Sequence, residues 1–286
     1  VNLNMGAADL GTGTKTVMAM VVAEELGVPL DKIQIEHADT GTTEYASPSG
    51  GSKTVPTDAP AVRAAALDCK EQILRMAAHQ LEADPSDLAL EGGAVVRRGN
   101  PESRTPFGQV RGLQRAQVVL GIGYRGPNPE GQVTCPFAAQ FCEVEVDTRT
   151  GEVRILRFLA AHDSGRVMNR KTFDNQVHGG VTMGIGLGMT ERRVLDRGQT
   201  GKLVSRSWHD YKIPTAMDVP DEMVPIIIEV PQPDGPFGAR GVGEHTMIAA
   251  APVVANAIAD ALGVRILSMP VTAEKVAMAT VLADPA

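Results

Sequence analysis

The run Gly235-Pro236-Phe237-Gly238-Ala239-Arg240-Gly241-Val242-Gly243-Glu244 constrains the fold more than any other stretch of this chain. Its glycines keep it out of a helix interior, where each would cost on the order of 0.5–1 kcal/mol relative to alanine. The run ends in one carboxylate, Glu244, and passes directly into the Ala-rich, helix-forming sequence from His245 to Leu262. Two readings of Glu244 follow. It is an acidic residue favourable to a helix dipole, or a carboxylate held close to a bound ligand with little side-chain bulk around it.

Two earlier glycine-rich turns also lead into helical patterns, Gly11-Thr12-Gly13 and Gly50-Gly51-Ser52-Lys53-Thr54. Such turns present backbone N–H groups to anions and allow close approach. Three in one chain point to a large phosphate-bearing ligand, against the alternative of three independent tight turns. Neither early turn is a P-loop, because Thr14 stands before Lys15 where GxxxxGK[ST] needs glycine, and 50–54 fails likewise. Gly184-Ile185-Gly186-Leu187-Gly188 falls inside a predicted helix, so it is no dinucleotide fingerprint.

The periodicity predicts a strand over 1–8, a helix from Thr14 to Leu26 closed by Gly27, and a strand within Asp31–His37. A polar loop over Thr40–Thr54 precedes a helix from Ala59 to Leu81. Residues 84–125 read as irregular, with short strands near Leu88–Val96 and an unassigned Gly/Arg/Pro-rich patch. Phe141–Asp147 and Glu152–His162 form a predicted hairpin. After it come a helix over Lys171–Met189, a strand within Pro220–Val230, a helix over Glu244–Leu262, a strand near Arg265–Leu267 and a short helix from Thr272. The strand–loop–helix scheme recurs after residue 138, so the expected fold is α+β. It consists of two related layered subdomains of mixed sheet with helices, 1–137 and 138–286.

At 286 residues and 43% apolar content the chain can bury a large core. A net charge of −7 with interspersed signs and 3% aromatics argues against nucleic acid as a partner. The longest apolar run, around Met247–Ile258, is shorter than a membrane span and holds Pro252, so no membrane is expected either. Cys69, Cys135 and Cys142 lack metal-site spacing and read as buried thiols of a reducing cytoplasm, which argues against a zinc or iron–sulfur site built by this chain. The chain opens mid-pattern at Val1 and reads as a piece of something longer. No GxSxG, Cys–His or HxxxH arrangement is present. His37 and His162, at strand ends, read as structural; His178 and His245, beside glycines, read as candidate ligand contacts.

In order, these segments resemble the molybdenum hydroxylases, the family of xanthine dehydrogenase and aldehyde oxidase. The match is to the C-terminal half of the molybdopterin-binding subunit. Asp9-Leu10-Gly11-Thr12-Gly13 with Leu26-Gly27-Val28-Pro29 is similar to one family segment, and Asp39-Thr40 with Gly50-Gly51-Ser52-Lys53-Thr54 to its cofactor loop. The hairpin around Glu145-Val146-Asp147 and Thr150-Gly151-Glu152-Val153 matches next, followed by His162-Asp163-Ser164-Gly165-Arg166-Val167-Met168-Asn169. Gln176–Gly184, Tyr211–Pro220 and Gly241-Val242-Gly243-Glu244 complete the set.

The resemblance implies a molybdenum ion held by a pterin dithiolene, in the cytosine dinucleotide form, with oxo, sulfido and hydroxide ligands. It casts Glu244 as the base that takes a proton from the hydroxide during oxidation of an aldehyde or N-heterocycle with water as oxygen source. Gly11, Thr12, Gly13, Gly50, Gly51, Ser52, Lys53, Thr54, Met183, Gly241, Val242 and Gly243 are the implied cofactor contacts. The Gly51 backbone would lie near molybdenum, and no side chain is a direct metal ligand. Implied partners are the remaining half of the molybdopterin-binding subunit, iron–sulfur and flavin (FAD) subunits, and a small-molecule substrate. The sequence departs from the pattern at Thr12 and Met183, where the family often has Gln, and at His245, where it often has Pro. A non-catalytic scaffold subunit of such a complex is the alternative function.

Overall fold

The computed structural model describes residues 1–115, 118–127, 130–131 and 133–283. Their contacts gather into two compact units, Val1–Thr134 with Pro231–Gly241, and Cys135–Val230 with Val242–Ala286. The glycine-rich run is therefore shared out: 231–241 returns to the first unit, which a single division at 137/138 does not anticipate. Its Phe237 ring lies 4.5 Å from the Arg63 guanidinium, a cation–π contact that fastens the segment to a helix of that unit.

In the first unit, β1 (Asn2–Met5) pairs in parallel with β2 (Gln34–His37), and α1 (Thr14–Leu26) makes the crossover between them. Val17, Met18, Val21, Val22 and Leu26 are its buried face, at the helical spacing read from the sequence. The α1 helix packs on α2 (Thr54–Leu81). Between them buried Glu25 accepts from Arg63 Nε at 2.7 Å and Lys70 Nζ at 3.3 Å, so its charge is neutralised where water is excluded.

The α2 helix starts at Thr54, ahead of the expected Ala59, and runs through Pro60. Pro60 has no N–H for the carbonyl of Pro56, one turn back. Arg125 Nε donates to that carbonyl instead, at 3.0 Å, so the turn persists. Arg125 belongs to the stretch left unassigned, where residues 120–125 form a strap along α2. A Cβ on Gly121 would stand 2.1 Å from Ala65 O, and one on Gly123 2.0 Å from Ala61 O. Only glycine lets the strap lie this close. Gln72 Nε2 and Asp68 Oδ2 bond its backbone at Leu120 O and Ile122 N. Residues 116–117 of the stretch expected to be irregular lie outside the described residues.

Within that stretch, β3 (Leu88–Glu91), β4 (Ala94–Arg97) and β5 (Asn100–Pro106) form an antiparallel sheet, followed by the single turn α3 (Arg111–Gln114). The β5 strand escaped sequence reading because it lacks apolar alternation. It is an edge strand, where charge and proline are tolerated.

The second unit opens on the hairpin of β6 (Phe137–Val146) and β7 (Val153–Asp163), longer than expected at its open end. The chain then forms α4 (Arg170–Met189) and returns as β8 (Glu222–Ile228), parallel to β7. A parallel pair joined over a helix thus appears in each unit, and the mixed, helix-covered sheet makes the class α+β. One face of this sheet carries Phe158 and Ala160 into a core with Phe173, Val177, Val181 and Ile185 of α4. Ala250, Val254 and Ile258 complete it.

The expected helix over Glu244–Leu262 is two pieces, α5 (His245–Ile248) and α6 (Ala250–Leu262). Pro252 denies the carbonyl of Ile248 its donor, which accounts for the break. By length and mean hydropathy, 1.3, the run His245–Leu262 is long and apolar enough to cross a membrane, which corrects the shorter span read from the sequence. Ala250, Ala251, Val254 and Ile258 are its face in the core. Along α4, Gly180, Gly184 and Gly188 repeat every four residues on the side facing α5 and α6. A Cβ at Gly184 would stand 2.3 Å from the Cβ of Ala250, and one at Gly180 2.0 Å from Thr246 Oγ1. Gly184 and Gly188 of the 184–188 repeat are therefore part of a helix-packing seam, whereas a Cβ at Gly186 would meet Glu191 Oε1 at 2.3 Å. The strand expected near Arg265–Leu267 does not form, and the chain closes on α7 (Ala273–Ala283).

Candidate functional site

Asp9 organises the first glycine turn. Its carboxylate accepts from the amides of Gly11 at 2.9 Å, Gly13 at 3.3 Å and Lys15 at 3.0 Å. Partial burial works against the charged form, but these three amides and nearby His37 outweigh it and hold the carboxyl below its ordinary value. The amides of Gly11 and Gly13 are thus committed to the chain's own carboxylate, which corrects the expectation that they face an incoming anion. Thr12 and Thr14 hydroxyls lie 3.0 Å apart beside them. The Asx-turn spacing Asp-x-Gly-x-Gly was the available signal for this role.

The second turn is linked to the first by Ser49 Oγ, which donates to Ala8 O at 3.4 Å. Gly51 and then Ser52 take left-handed conformations, φ 73° and 53°, before α2 begins at Thr54. Left-handed backbone at a serine costs of order 1 kcal/mol or more and marks a loop held by its surroundings. One surrounding group is the third glycine run. A Cβ on Gly241 would fall 1.6 Å from Ser52 O, so Gly241 makes room for the Ser52 backbone. Gly235 is likewise needed by its own turn, where a Cβ would meet Ala239 O at 2.1 Å. In front of Gly11, Gly50 and Gly51, by contrast, nothing lies within 4 Å.

Gly11, Thr12, Gly13, Gly50, Gly51, Ser52, Lys53, Thr54 and Gly241 belong to the first unit, whereas Met183, Val242, Gly243 and Glu244 belong to the second. Met183 is exposed on α4. Glu244 is exposed and directly precedes α5, with helical backbone (φ −68°, ψ −31°). The backbone that carries it is anchored from beneath. Thr246 Oγ1 donates to Gly243 O at 2.7 Å, and Gln140 Nε2, on β6, donates to Thr246 O at 2.8 Å. Gln140 Nε2 also lies 3.0 Å from His162 Nε2, and the His162 ring centroid is 5.2 Å from that of His245. Ser164 Oγ is 3.4 Å from His245 Nε2.

His245 is therefore directed into the protein, which argues against the reading of it as a ligand contact. His178, the other candidate ligand contact, is exposed on α4. Burial, then the neighbouring His245, pushes His162 down to about 4; burial also lowers His245 against the pull of Asp163. Gln140, Ser164 and Thr246 escaped sequence reading. For Gln140 a signal existed: it shares the inward face of an alternating strand with Cys142.

Among the described residues, no three His, Cys, Asp or Glu side chains gather as metal ligands. Cys69 and Cys142 are half-buried and burial raises both thiols, Cys142 to about 11. Cys135 is exposed, contrary to the expectation of three buried thiols. Near the first two turns, His37 Nδ1 and Ser47 Oγ are buried without a protein partner. With the open space before Gly11, Gly50 and Gly51, these groups fit an extended ligand rich in nitrogen and oxygen, as molybdopterin is.

Residues 1–220 match the molybdopterin cofactor-binding domain model, and the chain belongs to that family, the molybdopterin-binding part of molybdenum hydroxylases. It is 32% identical over 287 residues to the 6-hydroxypseudooxynicotine dehydrogenase complex subunit gamma of Paenarthrobacter nicotinovorans, covering 96% of this chain and 35% of that protein. It is 31% identical over 287 residues to the xanthine dehydrogenase molybdenum-binding subunit of Escherichia coli O157:H7, covering 96% and 37%. Among solved structures, a crystal structure of the Cu,Mo-CO dehydrogenase superposes with a TM-score of 0.87 at 29% identity, over 99% of this chain and 36% of that one. The chain thus spans about a third of the length of these relatives, two of which are named for molybdenum.

Proposed function

We propose that this chain supplies part of the active site of a molybdenum hydroxylase that oxidises an aldehyde or an N-heterocycle with water as oxygen source, and that Glu244 is the general base. The observation that carries the assignment is the contrast at Glu244: an exposed carboxylate on a backbone pinned by buried polar groups at Gly243 and Thr246. A base must be held in place within reach of the proton it takes. The molybdopterin, when bound, supplies a Lewis-acidic metal that acidifies water and takes up two electrons.

Around that group, Gly50 and Gly51 leave space for close backbone approach, and Thr12, Ser52, Lys53 and Thr54 are the proposed polar contacts to its oxygens. Gly11, Gly13, Gly241, Val242 and Gly243 shape the turns that carry these side chains, and Met183 offers an apolar contact in place of an amide. The cofactor form is proposed as the cytosine dinucleotide. The proposed partners are the remaining half of the molybdopterin-binding subunit and subunits carrying FAD and iron–sulfur clusters. The proposed location is the cytoplasm.

Metal analysis tests the enzyme reading against a scaffold. The complete complex, produced with its maturation machinery, should hold about one molybdenum per copy of this chain, the stoichiometry of a metal bound in the active site. A complex that assembles without molybdenum would assign the chain to the non-catalytic scaffold. A screen of aldehydes, purines and nicotinate-like heterocycles then identifies the substrate.

A further inference from the structure

Glu244 stands on a short stretch of backbone that cannot fix its own direction. The α5 helix that follows it has four residues, and a single helical turn does not hold itself in water. Contacts from the sheet beneath take over that task. Gln140 of β6 pairs with Ala160 of β7, so His162, two residues on, projects to the same face. Gln140 Nε2 carries two hydrogens and has two neighbours, Thr246 O at 2.8 Å and His162 Nε2 at 3.0 Å. A carbonyl accepts and does not donate, so the amide turns its nitrogen toward Thr246 O. Its second hydrogen then points at His162 Nε2, which must hold a lone pair. His162 is therefore neutral with its proton on Nδ1, in agreement with the burial that brings its pKa down to about 4. The His245 ring packs edge-on against it, centroids 5.2 Å apart. Thr246 passes the constraint on, because its Oγ1 donates to Gly243 O at 2.7 Å. A Cβ on Gly180 of α4 would stand 2.0 Å from that hydroxyl, so Thr246 is also wedged against the helix.

We infer that Gln140 is a positioning residue for Glu244, oriented by the Nδ1–H tautomer of His162 and acting through Thr246. The inference rests on the reading of Glu244 as the base and adds what aims it. Two observations select positioning over plain packing. Gln140 Oε1 and His162 Nδ1 are buried without a partner in the chain, so this pair is a poor stabiliser beside apolar side chains of the same size. What the amide supplies, and a methionine could not, is a directed bond to Thr246 O. Glu244 also lies between the two residues so held, Gly243 and Thr246, and slack at either one turns the carboxylate. Proton transfer tolerates little of that, since a displacement of about 1 Å costs on the order of a hundredfold in rate.

The test uses the complete enzyme, with molybdenum determined on every sample. Gln140→Met keeps the length of the side chain and drops both donors. Its kcat should fall about tenfold, the worth of one lost hydrogen bond, with KM unchanged. In a Glu244→Gln background the same substitution should change nothing further, because no base is left to aim. An equal loss in both backgrounds would overturn the inference, since Gln140 would then act on the fold or the cofactor. Wild-type turnover by Glu244→Gln is a separate result, which overturns the base assignment and the positioning role with it. Deuterium exchange, followed by peptide mass spectrometry, reads the backbone without activity. In Gln140→Met the peptide over residues 242–249 should exchange about tenfold faster, while the turn of the β6–β7 hairpin keeps its wild-type rate. Unchanged exchange over 242–249 would overturn the inference. His162→Gln can turn an amide oxygen toward Gln140 and should stay closer to wild type than His162→Leu, which offers no acceptor. Equal defects in those two would overturn the part assigned to the tautomer. Should Gln140→Met fail to assemble, Thr246→Val removes the hydroxyl link at constant shape, and unchanged exchange there would equally overturn the inference.

Discussion

His162 is fully buried, bonded through Gln140 to the backbone beside Glu244, and stays neutral with its pKa near 4. The unfolded chain takes up this proton first, near pH 6.5. Stability from the neutral ring is therefore complete above about pH 6.5 and is lost as pH falls toward 4. His245 acts in the same direction, because burial lowers it despite the Asp163 carboxylate. Urea unfolding of the wild-type chain at pH 7 and pH 5 should differ by about 2 kcal/mol, with the acid side weaker. His162→Gln should reduce that difference. An equal slope in wild type and variant would show that other groups set the acid limit. At this scale the sequence disclosed residue types but not directions: His245 looked like a ligand contact because it adjoins Glu244, yet successive residues at a helix start point to different sides.

Among the elements, long amphipathic segments such as α1 and the β6–β7 hairpin were legible, since periodicity reports which face is buried. The start of α2 and the strap were not, because each depends on the other across a long sequence separation. Arg125 satisfies the carbonyl that Pro60 strands, so Arg125→Ala should destabilise the chain by about 1–2 kcal/mol in thermal or urea unfolding. Unchanged stability would mean that water serves Pro56 O as well. The α4 seam makes an opposed pair of expectations. Gly184→Ala, which drives a Cβ toward Ala250, should cost about 1–3 kcal/mol. Gly179→Ala, on the same helix with nothing within 4 Å, should gain about 0.5–1 kcal/mol. Losses of similar size at both positions would contradict the seam.

For the whole molecule, the ordered run of motifs was enough to read the family, because each glycine turn has a fixed place along the chain. What the glycines do was less legible. Gly241 and Gly235 serve contacts within the first unit, and Asp9 occupies the amides of Gly11 and Gly13, so fewer of them face a ligand than their number suggests. The open positions, Gly11, Gly50 and Gly51, with the exposed Glu244, remain as the parts proposed for chemistry. The direct measurement is turnover by Glu244→Gln in the complete enzyme, with molybdenum content determined on the same sample. The amide keeps the size of the side chain and cannot take a proton, so kcat should fall by about 10²–10⁴ with molybdenum retained. Turnover near that of wild type, at full molybdenum occupancy, would contradict Glu244 as the base.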